Sequence, residues 1–194
     1  WIISLVFAQV PPNYYSPTQL DGKNTANLRN EFKTIITSGH SSVSYQSLWT
    51  HFQKTDVAPN GKVWDIYSNC NYTFVTNQCG NYVNECDCYN REHTVPSSWF
   101  NDATPMYTDM FHLYPTDGKV NGIRDNYPFG EVSSPTQTTG NVSKLGNSSF
   151  AGYSNVVFEP INEFKGDLAR TYFYMATRYA DVCQSWGSGA TVVF

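Results

Sequence analysis

Charged side chains are scarce in this 194-residue chain, in which Asp, Glu, Lys and Arg together make up only 14% of the residues. Lys and Arg number 12 against 16 acidic residues, so the net charge is −4. The chain therefore lacks the basic surplus that usually accompanies phosphate contacts. This counts against an ordinary nucleic-acid-binding module, unless a bound divalent cation supplies positive charge where a phosphate would lie.

The chain also lacks an apolar run of the ~20 residues that a membrane-spanning helix needs. We predict that the apolar residues 1–8 are a signal-peptide remnant and that Gln9 begins the mature chain. A buried first strand is the alternative for this segment. The sequence has no internal repeat. It also lacks His-Glu-x-x-His, which argues against a zinc peptidase of the kind that uses this motif.

Aromatic and neutral polar residues fill the place of the missing charges. The chain has 14 Tyr, 12 Phe and 5 Trp, and many Asn, Ser and Thr. Its length allows one substantial core without help from metals or bridges. We therefore predict a single domain over residues 9–194, monomeric, and secreted or periplasmic.

Four of the five cysteines lie between Cys70 and Cys88, which agrees with an oxidising compartment. We predict a Cys79–Cys88 bridge, with Cys70 and Cys86 as a second pair, although spacing alone does not fix the connectivity. Cys183 would then be a buried free thiol on a helix. A zinc knot built from Cys79, Cys86, Cys88 and His93 fits poorly the paired spacing of structural zinc sites.

Apolar periodicity predicts three helices. The first runs from Asn24 to Gly39, the second follows Ser44 with Leu48, Trp49 and Phe52 on one side, and the third covers Asn162 to Trp186. Strands are predicted at Val63–Tyr67, at Tyr72–Val75 and from Cys88 to Val95. Residues 130–155 are predicted to form a polar surface excursion with one hairpin, and Lys119 to Asp125 a short segment that presents Asn121.

An acidic residue and an imidazole stand side by side at Glu92 and His93, just before Pro96. Phosphodiester hydrolysis needs a general base for water and a hard cation for the developing negative charge. His93 suits the first task, and oxygen ligands from Glu92 and Asn121 suit the second. Because side chains alternate along a strand, we expect Glu92 and His93 to face opposite ways unless the chain bends there.

Three long motifs resemble the endonuclease I family of secreted and periplasmic bacterial nucleases. They are Tyr89-Asn-Arg-Glu-His-Thr-Val-Pro96, the segment from Leu113 to Gly130 that contains Val120-Asn121-Gly122-Ile123-Arg124, and the segment from Lys165 to Tyr179. The resemblance implies an α+β, mainly helical single domain with a small antiparallel sheet and a ββα-metal (His-Me) finger.

The resemblance also implies site roles. His93 would be the general base, and Glu92 and Asn121 would bind one divalent cation, most often Mg²⁺, with Ca²⁺ or Mn²⁺ as alternatives. The implied activity is endonucleolytic cleavage of DNA, and of RNA, with little sequence preference and 5′-phosphate products. Separately from the resemblance, Asp109 and His112 are candidates either to orient His93 or to pack beneath it.

The chain departs from the family pattern at several points. It has no insertion with a phosphate-binding arginine after the His motif, so that role falls to Arg124 or Arg91. Phe111 stands where many members have a second histidine, and the chain stops before a later family motif, so we expect it to be truncated at its C-terminus. The rival interpretation is a non-catalytic secreted binding module, which accounts for the aromatic residues and the acidity but does not require Glu92, His93 and Asn121.

Overall fold

The structure is a computed structural model that describes residues 22–187 and 189–194. The predicted signal-peptide remnant lies outside these residues. The chain divides into two units, residues 1–40 and 41–194. Within the described residues, no helix is both long and apolar enough to cross a membrane.

The first unit contains helix α1, Thr25–Thr37, as predicted. The side chain of Asn24 caps its first turn by accepting a hydrogen bond from the Asn27 N–H at 3.0 Å. Just beyond its end, Gly39 has φ +74°, a left-handed conformation that glycine adopts without steric cost.

The second unit begins with helix α2, Leu48–Thr55, and its predicted apolar residues Leu48, Trp49 and Phe52 are buried. Strand β1, Tyr89–His93, then pairs antiparallel with strand β2, Leu113–Asp117. Helix α3, Gly118–Arg124, follows β2 directly. The Asp117 side chain accepts the Val120 N–H at 2.9 Å, which satisfies a free donor in the first turn of α3.

A second sheet follows with the strand order β3-β4-β5: β3 is Val132–Thr138, β4 is Lys144–Ser148 and β5 is Val156–Glu159. Both pairings are antiparallel. The β3–β4 hairpin lies within residues 130–155, so the hairpin predicted there is confirmed. The third strand, β5, was not predicted.

Helix α4, Asn162–Arg178, is shorter than the predicted segment, which ran to Trp186. The helix ends at Tyr179, whose hydroxyl donates to the buried Asp109 carboxylate at 2.6 Å. The free thiol of Cys183 is buried as expected, but it lies in a short 3₁₀ helix, Cys183–Ser185. Other 3₁₀ helices are Ser97–Phe100, Met106–Thr108, Met110–His112 and Ala190–Val192.

Two predicted strands are wrong. Val63–Tyr67 and Tyr72–Val75 form turns and irregular chain, apart from an isolated bridge between Val57 and Val63. In the first segment the buried Asp65 carboxylate accepts the Tyr67 N–H and the Ser68 hydroxyl, and this local bonding competes with strand pairing. A mainly helical fold was also an overstatement, because helices hold 35% of the described residues and strands 18%.

Both predicted disulfides are present, Cys70–Cys86 and Cys79–Cys88. The second bridge closes a loop whose last cysteine directly precedes β1. Cys79, Cys86 and Cys88, the cysteines of the alternative zinc knot, are therefore all in disulfides and are not free to bind a metal.

Candidate active site on the β1–α3 unit

Strand β1 presents two chemically different faces. Arg91 and His93 lie on the face that contacts Tyr45. Asn90 and Glu92 lie on the other face and contact side chains of α3. The strand alternation predicted for Glu92 and His93 is thus observed, and neighbouring residues in the chain serve different surroundings.

Glu92 is buried, with 3% of its surface exposed. Its Oε1 accepts the Tyr67 hydroxyl at 2.7 Å and Arg124 Nη1 at 2.9 Å. Burial raises the pKa of the Glu92 carboxyl, while the positive charge of Arg124 and the Tyr67 hydroxyl oppose that rise. The carboxylate is therefore held in one orientation by two donors.

Arg124 is also buried, at 1% exposure. Besides Glu92, its guanidinium donates to the carbonyl of His93 at 2.9 Å and to the carbonyl of Thr94 at 2.5 Å. It lies over the Phe129 ring, 4.6 Å from the centroid. A guanidinium committed in this way cannot readily reach a substrate, so the phosphate contact predicted for Arg124 does not fit its surroundings. Arg124 instead fastens the end of β1 to α3.

Asn121 lies one helical turn before Arg124 on α3. Its Nδ2 donates to Asn90 Oδ1 at 2.7 Å. Asn90 Oδ1 also receives the Thr116 hydroxyl at 3.4 Å. One face of β1 is therefore joined to α3 by two side-chain contacts: Asn121 binds Asn90, and Arg124 binds Glu92. Sequence reasoning missed Asn90, although its position two residues before Glu92 places it on the same face of the strand.

The side-chain oxygens of Glu92 and Asn121 are chemically suited to bind a hard divalent cation. With Asn121 Nδ2 bound to Asn90, the Asn121 Oδ1 has no hydrogen-bond donor among the described residues. Carboxylate and amide oxygens are the ligands that Mg²⁺ and Ca²⁺ prefer, and Mg²⁺ characteristically keeps several waters beside one or two protein ligands. The residue types at Glu92 and Asn121 thus fit the expected ion.

A different cluster of metal-ligand types occurs at Cys70, Cys86 and Asp117. Both cysteines belong to one disulfide. The Asp117 carboxylate is occupied by the Tyr72 hydroxyl at 2.6 Å and the Cys86 N–H at 2.6 Å. This cluster is therefore a structural junction and not a cation site.

The His93 ring is fixed by a backbone carbonyl. Its Nε2 lies 2.9 Å from the Tyr107 carbonyl oxygen, and its ring stacks on the Tyr107 ring at 5.0 Å between centroids. A carbonyl only accepts hydrogen bonds, so Nε2 carries the hydrogen and Nδ1 keeps its lone pair. Burial lowers the pKa of His93 to about 4, against the opposing effects of Tyr107 and Asp102. The neutral imidazole therefore has Nδ1 ready to accept a proton.

His112 lies beside the His93 ring, and Asp109 lies near His112. The His112 ring lies 5.4 Å from the His93 ring, and its Nε2 donates to the Met106 carbonyl at 2.7 Å. Asp109 is fully buried and accepts the hydroxyls of Tyr174 and Tyr179 at 2.8 and 2.6 Å. The orienting contact expected from one of these two residues comes instead from the Tyr107 carbonyl, which a side-chain motif does not reveal.

Arg91 occupies an aromatic sandwich on the His93 face of β1. Its Cζ lies 3.7 Å from the Tyr45 ring centroid and 4.4 Å from that of Trp49. Nη1 donates to the Tyr45 carbonyl at 2.9 Å. No carboxylate among the described residues lies within ion-pair distance, so the charge of Arg91 is held in place without an acidic partner.

Comparison with known proteins agrees with these motifs. The model of the family Endonuclease I matches residues 24–193. The chain is 32% identical over 169 residues to an extracellular ribonuclease of Bacillus amyloliquefaciens, covering 86% of this chain and 53% of the relative. It is 31% identical over 184 residues to an extracellular ribonuclease of Bacillus subtilis, covering 91% and 59%.

A shorter match links the chain to Endonuclease-1 of Buchnera aphidicola, with 30% identity over 73 residues, or 37% of this chain and 27% of the relative. The chain thus spans between half and three-fifths of the length of the Bacillus relatives. No solved structure gives a significant match. From the family model over residues 24–193, and from the motifs that build the β1–α3 site, the chain belongs to the Endonuclease I family.

Proposed function

We propose that the chain is a divalent-metal-dependent endonuclease that hydrolyses DNA and RNA with little sequence preference and leaves 5′-phosphates. The observation that carries the proposal is the state of His93: a carbonyl fixes Nε2–H, and Nδ1 keeps its lone pair. His93 is the last residue of β1, and Glu92 lies on the other face of the same strand, beside α3. The names of the Bacillus relatives support nuclease chemistry.

In this proposal His93 Nδ1 takes the proton from the attacking water. General-base catalysis of this kind contributes ~10²–10⁴ in rate. Glu92 and Asn121 would hold the cation, Mg²⁺ first and Ca²⁺ or Mn²⁺ as alternatives. When bound, that cation supplies positive charge to the scissile phosphate and the leaving oxygen. The chain order β1, β2, α3 is compatible with a ββα-metal (His-Me) finger.

Arg91 is our candidate for the phosphate contact. It shares a strand face with His93, and the rings of Tyr45 and Trp49 fix the guanidinium plane. Because no described carboxylate neutralises it, its remaining N–H groups can bind an anion. Arg91 therefore takes the role for which Arg124 is too deeply buried.

We also propose a secreted protein. Two disulfides are typical of exported chains, and both Bacillus relatives carry the word extracellular in their names. The cation would offset the net charge of −4 locally, where the substrate phosphate approaches.

Metal removal tests the proposal. We expect the protein to nick supercoiled plasmid and to cut RNA in Mg²⁺, to stop in excess chelator, and to recover when Mg²⁺ is restored. Asn121→Ala should require a higher Mg²⁺ concentration for half-maximal rate, because one ligand is lost. Asn126→Ala, an exposed asparagine just beyond α3, is the matched control and should behave as wild type.

Cleavage that persists unchanged in excess chelator would refute the metal dependence. Binding of nucleic acid with no cleavage in any divalent cation would favour the non-catalytic binding module instead.

A further inference from the structure

A cavity borders α3 on the side away from its contacts with β1. It has a volume of about 420 Å³, within the range of roughly 300–1,000 Å³ common for small-ligand sites. Its walls come from the loop closed by the Cys79–Cys88 bridge, from the outer side of α3, and from the β3–β4 hairpin. Its lining includes Tyr82, Lys119, Asp125, Tyr127 and Gln137.

Two tyrosines offer ring surface in this cavity. Tyr82 is 38% exposed and Tyr127 is 36% exposed. Neither ring stacks on another aromatic ring among the described residues. Exposed, unstacked tyrosine rings are the usual platforms for nucleobases, because every base has a flat π-surface.

The position of Tyr82 is built into α3. A Cβ atom added at Gly118 would lie 2.9 Å from Tyr82 Cδ1, and one added at Gly122 would lie 2.7 Å from the Tyr82 hydroxyl. The absence of a side chain at these two positions, one turn apart, lets the ring lie close against the helix, and at Gly118 a Cβ atom would also lie 2.6 Å from Cys79 Sγ. The disulfide-closed loop delivers the ring to this groove, so the platform is set before any ligand arrives.

The polar groups of the cavity suit a nucleotide. The half-buried Lys119 has no carboxylate within ion-pair distance among the described residues, so its ammonium group can pair with a phosphate. The Gln137 amide both donates and accepts hydrogen bonds, as base edges do. The exposed carboxylate of Asp125 repels a second phosphate but accepts from exocyclic amino groups. The cavity thus offers stacking, one cation and base-edge partners.

We propose that this cavity is a nucleobase subsite that takes an unstacked base of the substrate strand, with Lys119 contacting a neighbouring phosphate. Asn121, the candidate cation ligand, lies on the same short helix as Lys119 but on the side that contacts β1, so the subsite and the candidate cation ligand occupy two sides of α3. A base in a duplex is already stacked and paired, so the subsite favours single-stranded DNA or RNA. This inference rests on the proposed nuclease function for its place in the reaction.

The test measures binding without cleavage. A fluorescently labelled single-stranded oligonucleotide and a hairpin duplex of the same length are titrated with the full chain in excess chelator. Tyr127→Ala should weaken single-strand binding by about 5- to 150-fold, the range for losing one base–aromatic stack, and leave duplex binding unchanged. Phe173→Ala, which removes a 73% exposed ring on α4, is the matched control and should have no effect.

A second variant guards against misfolding. Tyr82→Ala removes a ring packed on α3, whereas Tyr82→Phe keeps the ring and should bind single strands as wild type does. Lys119→Gln should weaken single-strand binding and reduce its salt dependence. In cleavage assays with Mg²⁺, Tyr127→Ala should lower the ratio of single-strand to duplex kcat/KM by the same factor.

Equal single-strand binding by Tyr127→Ala and wild type, or an equal loss for single strand and duplex, would overturn the subsite. So would undetectable binding of the single strand by the wild type. These readouts do not depend on cleavage, so failure of the subsite is distinguishable from failure of the nuclease proposal.

Discussion

The state of His93 depends on one backbone atom. The Tyr107 carbonyl fixes the proton on Nε2, and burial disfavours the imidazolium form. The dipeptide Glu92-His93 and the strand alternation predicted the opposite orientation of the two side chains. The tautomer could not be predicted, because its determinant is a main-chain oxygen 14 residues further along the chain, and every residue carries such an oxygen.

The tautomer and pKa of His93 can be measured by NMR of the imidazole nitrogens. We expect the Nε2–H tautomer at neutral pH and titration near pH 4. The pKa is lowered on folding, so the unfolded chain takes up a proton at higher pH than the folded chain does. The contribution of His93 to stability is therefore complete above about pH 6.5 and falls as pH drops towards 4. A titration midpoint near 6.5, or an Nδ1–H tautomer, would contradict this description.

At the scale of elements, β1 and α3 are joined through polar side chains, of which Glu92 and Arg124 are buried. Asn121 binds Asn90, and Arg124 binds Glu92 together with two carbonyls at the end of β1. The strand at β1 and a short segment presenting Asn121 were predicted from the sequence, but strand β2 was not predicted from its residues. The burial of Arg124 was not predictable, because arginine is almost never fully buried unless it is paired, and its partner lies 32 residues earlier.

The Arg124 junction makes a stability prediction. Arg124→Ala leaves the Glu92 charge buried without its cation and should lower the free energy of unfolding by about 3–5 kcal/mol. Arg170→Ala is the control, since Arg170 is exposed and pairs with Asp167 on the same helix; it should cost about 0–1 kcal/mol. Urea denaturation followed by circular dichroism measures both values.

An Arg124→Ala variant of unchanged stability would favour the phosphate contact predicted for Arg124 from the sequence. If that variant unfolded at the wild-type urea concentration and showed only a raised KM for nucleic acid, Arg124 would act as a phosphate contact after all.

Local sequence signals failed where long-range polar contacts dominate. The segments at Val63–Tyr67 and Tyr72–Val75 contain good strand formers, yet Asp65 binds Asp117 at the end of β2, and Cys70 is bridged to Cys86. The Asp65 carboxylate accepts the Asp117 N–H at 3.0 Å, and burial raises its pKa to about 7. Helices α1, α2 and α4 were predictable because their apolar periodicity is a property of the local sequence.

For the whole molecule, the sparse and net-negative charge is consistent with a nuclease that depends on a cation and a few fixed side chains. The proposed cation, Arg91 and Lys119 lie around one short ββα unit, so positive charge is concentrated there without a basic surface. The family and its motifs were predictable from the sequence. The cavity beside α3 was not, because it depends on how the disulfide loop and the β3–β4 hairpin meet the helix.

The central claim is that His93 is the base while Glu92 and Asn121 serve the cation, and one measurement tests it most directly. It is the single-turnover rate of nucleic-acid cleavage by His93→Ala at saturating Mg²⁺, with His51→Ala on α2 as the matched control. We predict that His93→Ala lowers the cleavage rate by ~10²–10⁴, while its Mg²⁺ affinity, measured by calorimetry, stays close to wild type. His51→Ala should cleave at a rate within about twofold of wild type, because the His51 imidazole has no role in this chemistry. Cleavage by His93→Ala at the wild-type rate would contradict the account.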